Sequence, residues 1–156
     1  MRLKGILTVE RVTVALAATS KADALAELAD LFVEGVTDVE LDRDEVVRVF
    51  EERESLASTG VGSGVAIPHG RLSSVPSLVA AVGLSKAGVE FEAIDGRPAH
   101  ILVAVLGPER QTGEHLKALA RFSKLLRNGI VRQKLLAAPD ARAAFDLLIE
   151  EDERRS

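Results

Sequence analysis

Residues 59–70 read Thr59-Gly60-Val61-Gly62-Ser63-Gly64-Val65-Ala66-Ile67-Pro68-His69-Gly70. Glycines and hydroxyl residues run into a short apolar stretch, which a proline closes and a histidine follows. Glycine permits backbone conformations in which successive N–H groups converge on an anion. Val65, Ala66 and Ile67 predict a short buried strand. Pro68 offers no N–H to a sheet ladder and biases Ile67 toward extended backbone. The chain is therefore expected to leave the sheet at Pro68 and to present His69 just past the strand end. A nucleophilic imidazole placed there can face a phosphoryl group.

Upstream, Val12 to Leu16 predicts a strand within an irregular lead-in. Ser20-Lys21-Ala22-Asp23 has capping-box character and opens a helix to about Val33. Leu25, Leu28, Ala29 and Phe32 mark its buried face, and Gly35 supplies the stop. A second helix starts at Asp42, with Val46, Val49, Phe50 and Leu56 on its apolar face. Downstream, Leu78 to Leu84 predicts a strand, and Val89 and Phe91 alternate with Glu90 and Glu92 as in a half-exposed one. Asp95-Gly96-Arg97-Pro98 is turn chemistry. The continuous apolar run Ile101 to Leu106 reads as a central strand covered on both faces, ended by Gly107-Pro108. Thr112 is expected to cap a helix carrying Leu116, Leu119, Phe122, Ser123 and Leu126, with Asn128-Gly129 as its stop. A short helix over Ile130 to Ala137 and a last one from Asp140 to about Glu150 complete the pattern, and a solvated, frayed tail is expected over 150–156. Residues 1–156 thus read as a single α/β domain, a small sheet with helices on both faces.

The chain has 156 residues, enough to bury roughly 70% of its unfolded surface. Hydrophobic residues make up 47% but aromatic ones only 3%, so the core is built from Ala, Val and Leu. With no Trp or Tyr, a net charge of −4 and no basic run, nucleic-acid binding is not expected. The absence of Cys excludes thiolate catalysis, disulfides and cysteine-ligated metals. No apolar run reaches membrane-spanning length and the N-terminus is not a secretory segment, so a cytoplasmic location fits.

His69 stands out among the three histidines for its glycine-rich approach and its strand-end position. His115 falls in the first turn of the Thr112 helix, where free N–H groups and the helix dipole keep an imidazole neutral and favour an anion. It could donate a hydrogen bond to a phosphoryl oxygen, or be a surface histidine. Arg53 lies in Glu51-Glu52-Arg53-Glu54-Ser55. Composition alone favours a solvated helix face there, against a guanidinium phosphate clamp, and Arg48 is an equal candidate. The loop Thr59, Gly60, Gly62, Ser63 and Gly64 is the candidate phosphoryl cradle. His100 reads as structural. Glu109 and Glu114 could orient the His115 ring. Scattered histidines without i,i+4 spacing argue for no metal site, and no cofactor is expected.

The run Ser58 to Gly70, with its Ala66-Ile67-Pro68-His69-Gly70 core, resembles the phosphohistidine signature of enzyme IIA proteins. These are the fructose/mannitol type of the bacterial phosphoenolpyruvate-dependent phosphotransferase system, and the nitrogen-related branch is the most similar. The resemblance spans nearly the whole chain, through the Leu-rich first helix, Arg53, Asp95-Gly96 and the Thr112–Leu126 helix. It implies a small mixed sheet flanked by helices. His69 would be the phosphoacceptor, His115 the second site histidine and Arg53 the arginine beside them. The donor would be the phosphocarrier protein HPr or its nitrogen-branch counterpart. With neither a IIB cysteine nor a membrane span, the chain reads as a standalone IIA unit of the regulatory nitrogen branch, whose charged and uncharged forms bind different proteins. A sugar-transport IIA serving a separate IIB is the second reading, and a non-catalytic anion-binding module using the glycine loop is the third. The docking face is expected around His69, near Val61 and Leu72.

Overall fold

The protein, as a computed structural model describing residues 1–155, carries an open mixed sheet with strand order β1-β5-β6-β3-β2. Its centre is β6 (Ala99–Gly107), antiparallel to β5 (Val79–Val89) on one side. On its other side β6 pairs parallel first with β3 (Val65–Ala66) and then with β4 (His69–Arg71). β1 (Val12–Thr13) runs parallel to β5, and β2 (Gly60–Gly62) is antiparallel to β3. The double covering of β6 follows from its period-two alternation. Leu102, Ala104 and Leu106 pack with α1 (Lys21–Gly35) and α2 (Arg43–Leu56). Ile101, Val103 and Val105 pack with α3 (Thr112–Leu126), α4 (Gly129–Leu136) and α5 (Ala141–Arg154). The predicted layered α/β sheet with helices on both faces is therefore the observed architecture.

The helix starts follow their caps. Ser20 accepts from the Asp23 N–H, Asp42 from Asp44 and Asp140 from Ala143. Asn128 accepts from the N–H groups of Ile130 and Val131, so it opens α4 rather than only closing α3. Thr112 is not the cap of α3. Gln111 holds that position without a side-chain bond, and the Thr112 hydroxyl accepts instead from Arg71.

Four further expectations change. The chain does not leave the sheet at Pro68. Pro68 removes one donor from the ladder, but its carbonyl accepts from the Val105 N–H at 3.0 Å, and pairing resumes at His69 opposite Val105. Leu56 is not on the buried face of α2, being 80% exposed. The buried stripe of α3 is His115, Ala118, Phe122 and Leu125, which turns Leu116 outward. The frayed tail does not hold for the described residues, since α5 continues to Arg154 with Glu151 and Asp152 buried. Asp152 accepts from the Leu3 N–H at 2.9 Å and pairs with Arg121, clasping the first residues to the last helix.

Val89 and Phe91 are buried and Glu90 and Glu92 exposed, as the alternation predicts, but they form no separate strand: Val89 is the last residue of β5, and Glu90 makes an isolated bridge to Ser20. Among the described residues no helix is long and apolar enough to cross a membrane.

Candidate functional site

His69 is the first residue of β4, and the register opposite Val105 fixes where its ring emerges. Nδ1 lies 2.9 Å from the carbonyl oxygen of Ile67. A carbonyl only accepts, so Nδ1 carries the proton and donates. The Arg53 Nε–H donates to Nε2 at 3.1 Å. A guanidinium only donates, so Nε2 presents its lone pair. The two bonds together define a neutral Nδ1–H ring whose unprotonated, nucleophilic atom is Nε2. Burial holds its pKa below the ordinary value. The cations of Arg53 and Arg71 push the same way, against the Ile67 carbonyl and Glu54.

His115 stands on the first turn of α3 with its ring 5.5 Å from that of His69, at an interplanar angle of 61°. It is 3% exposed, and neither ring nitrogen has a hydrogen-bond partner. Burial, then His69, then Arg71 lower its pKa to about 4. The ring is therefore neutral at pH 7, with one N–H to give. The space for it depends on Gly107. A Cβ there would lie 3.2 Å from Nδ1 of His115 and 2.5 Å from Leu78.

Arg53 comes from the last turn of α2. Besides meeting His69 it donates from Nη1 to the Ala57 carbonyl at 2.9 Å, which holds the guanidinium plane against the ring. Arg48 is elsewhere, paired with Glu52 at 2.9 Å on the exposed face.

These groups line one open groove of about 440 Å³. His69, His115, Arg53 and Arg71 provide its polar surface, and the exposed side chains of Leu56 and Leu116 stand along it. Its one carboxylate, Glu52, is already engaged by Arg48. A cationic groove holding two neutral imidazoles, one with an unprotonated nitrogen held by Arg53 and one with an unused N–H, suits a phosphoryl group. Among the described residues no group of three or more His, Cys, Asp or Glu is placed to hold a metal ion.

The glycine loop is not in this groove. Gly62, Ser63 and Gly64 all have positive φ and turn β2 into β3, which is why glycine recurs there. The Gly60 N–H bonds the Ser58 hydroxyl, and the Ser63 N–H bonds Asp95. The loop amides thus serve internal acceptors, and the loop lines a separate depression with Arg127 and Arg132. Thr59 is buried, its N–H and hydroxyl both turned to the Glu54 carboxylate.

Of the expected docking residues, Val61 lies in that other depression and Leu72 is buried. Glu114 pairs with Lys117 and does not reach the His115 ring, and Glu109 makes no bond to it either. His100 is structural, its Nδ1 2.9 Å from the Ser85 carbonyl oxygen. Arg71 was missed. The period-two spacing from His69 along a strand is the signal that puts both on one side.

Comparison with known proteins gives consistent matches. The family model described as "Phosphoenolpyruvate-dependent sugar phosphotransferase system, EIIA 2" matches residues 5–151. A nitrogen regulatory protein of Pseudomonas aeruginosa is 37% identical over 150 residues, 96% of each chain. A phosphotransferase-system fructose-specific EIIA component of Haloferax volcanii is 37% identical over 132 residues, 84% of each chain. The crystal structure of nitrogen regulatory protein IIA-Ntr from Neisseria meningitidis superposes with a TM-score of 0.85 at 30% identity. That match covers 92% of this chain and 97% of the other.

Proposed function

This chain belongs to the EIIA 2 family of the phosphoenolpyruvate-dependent sugar phosphotransferase system, and on that premise we propose that it carries a phosphoryl group on Nε2 of His69. The observation that carries the reading is the pair of hydrogen bonds that fixes the ring, Nδ1–H to the Ile67 carbonyl and Arg53 to Nε2. They leave a neutral imidazole with its lone pair in a cationic groove.

The donor is a phosphohistidine on a carrier protein of the HPr type. Arg53 releases Nε2, whose lone pair attacks phosphorus in line. The donor's N–P bond breaks, its imidazole leaves with the bonding electrons, and a new N–P bond forms on His69. Such transfers pass through a loose state with charge on the three peripheral oxygens. Arg53 turns its N–H groups to those oxygens, His115 donates its one N–H, and Arg71 adds charge from the rim. The proton on Nδ1 stays where it is, and the Ile67 carbonyl stabilises the positive charge the ring acquires. The protein's contribution is position and preorganised charge.

The similarity to nitrogen regulatory proteins over nearly the full length of both chains favours a regulatory role. The charged and uncharged forms would bind different proteins, because phosphorylation adds about −1.5 to −2 charges to the groove. The similarity to a fructose-specific EIIA component supports the second reading, transfer onward to a separate IIB. The decisive experiment mixes the protein with phosphoenolpyruvate, enzyme I and HPr and maps acid-labile phosphate by mass spectrometry. Label on His69, lost in H69A, is the expected result. Undiminished label in H69A would overturn the assignment. Adding a IIB protein and following phosphate to its cysteine, beside pull-downs comparing wild type with H69A and H69D, separates the two readings.

A further inference from the structure

A buried carboxylate one residue from Arg53 touches nothing in the groove, yet it is tied to both sides of the His69 ring. Glu54 is buried in the last turn of α2. It accepts from the Thr59 N–H at 3.0 Å, from the Thr59 hydroxyl, and from Lys21 Nζ at 2.8 Å. We propose that Glu54 is the positioning residue of the site, holding His69 in its Nδ1–H form and Arg53 against Nε2 through one buried anchor. The proposal rests on the reading of His69 Nε2 as the acceptor.

Two paths leave this carboxylate. The first runs through Thr59, whose carbonyl accepts from the Ile67 N–H at 3.0 Å. Ile67 in turn offers its own carbonyl to His69 Nδ1. A shift of Thr59 therefore moves the acceptor that selects the tautomer. The second runs along α2. Adjacent helical residues point about 100° apart, so clamping Glu54 fixes the rotation of the last turn and with it the direction of Arg53. That turn needs an anchor, because Leu56 at its end is 80% exposed and packs nothing down. Lys21 completes the anchor from the start of α1. It also bonds Glu92 at 3.2 Å and lies 5.0 Å from the centre of the Phe91 ring.

The mechanism above makes no use of these groups, and a buried ion pair is weak evidence for stability alone. Here the pair is aimed at the two segments that hold the nucleophile. A displacement of about 1 Å in such a site costs on the order of 100-fold in rate.

The test compares E54A and E54Q with wild type at pH 8. Gln is nearly isosteric. Its amide oxygen can accept from the Thr59 N–H and Lys21, while its NH₂ donates to the Thr59 hydroxyl, which also accepts. It keeps the geometry and drops the charge. Single-turnover phosphorylation by HPr is measured beside the ¹⁵N spectrum of the His69 ring, with circular dichroism as the check on folding. E54A is expected to be phosphorylated about 100-fold more slowly and to show both ring tautomers. E54Q is expected to stay within about threefold of wild type, with the Nδ1–H form alone. If E54A does not fold, T59V, which removes only the hydroxyl, takes its place, and a tenfold loss with mixed tautomers is expected. Wild-type rate and a single tautomer in the folded variant, or E54Q as slow as E54A, would overturn the proposal. Phosphate mapped away from His69 in wild type would instead overturn the underlying reading.

Discussion

Replacing His115 by leucine exposes the tension built into the site. In the folded protein burial, His69 and Arg71 lower the His115 pKa from 6.5 to about 4, whereas the unfolded chain titrates near 6.5. The sign follows from linkage. Between these values the unfolded state binds the extra proton, so the folded state loses stability as pH falls from 6.5 toward 4 and keeps it above 6.5. At 1.36 kcal/mol per unit, the deficit reaches about 2 kcal/mol at pH 5 and about 3 kcal/mol at pH 4. Both ring nitrogens are also buried without partners, which costs about 1–3 kcal/mol even when neutral. Leucine has neither liability. H115L is therefore expected to be about 1–3 kcal/mol more stable than wild type at pH 7, with the gap widening by about 2 kcal/mol at pH 5. Urea unfolding of both proteins at several pH values reads the gap directly, and every other titrating group is shared. The same variant should accept phosphate from HPr about 10- to 100-fold more slowly, having lost the donor to a phosphoryl oxygen. Parallel stability curves would refute the assignment of a buried, neutral, uncompensated ring.

Three other outcomes follow from the geometry. R53K keeps a charge but not the planar fork that meets His69 and Ala57 together, so single-turnover transfer should fall about 100-fold; a wild-type rate would remove Arg53 from the site. G107A places a methyl group 2.5 Å from Leu78 and 3.2 Å from the His115 ring, and should cost about 1–3 kcal/mol in denaturant unfolding as well as slowing transfer; an unchanged midpoint would show that the seat is roomier than described. D152N weakens the buried pair with Arg121 and should lower unfolding free energy by about 2–3 kcal/mol while leaving the transfer rate alone; a loss below about 0.5 kcal/mol would class the clasp as a surface pair.

Much of the layered fold could be read from local signals, because caps and periodicity act within a few residues. Ser20, Asp42 and Asp140 open their helices with the expected side-chain bonds. The uninterrupted run of β6 announces a strand with a helix layer on each side. What failed depended on partners distant in sequence. Nothing near Pro68 reveals that β6 continues past it and can pick the chain up again at His69. Leu116 carries the hydropathy of a core residue and is turned out because His115 takes the buried stripe. The glycines of 60–64 pointed to a tight backbone, and the structure contains one. Whether its amides face an anion or Asp95 is decided by a residue 32 positions away. The convergence of His69, His115 and Arg53 was legible only through resemblance, since their spacing in the chain encodes no contact. Period-two spacing sets Arg71 beside His69 only once β4 is known, and nothing local singles out Glu54.

The broken strand on which His69 begins has a bearing on how any message leaves this molecule. β4 is laced to the C-terminal end of β6, the element sealed from solvent on both faces and among the last expected to open in hydrogen exchange. A histidine mounted on so stiff a pedestal has little means of bending the scaffold beneath it. On the proposed function, a phosphoryl group gained or lost at Nε2 would change the field over the groove, and a visiting protein would read voltage there, not shape.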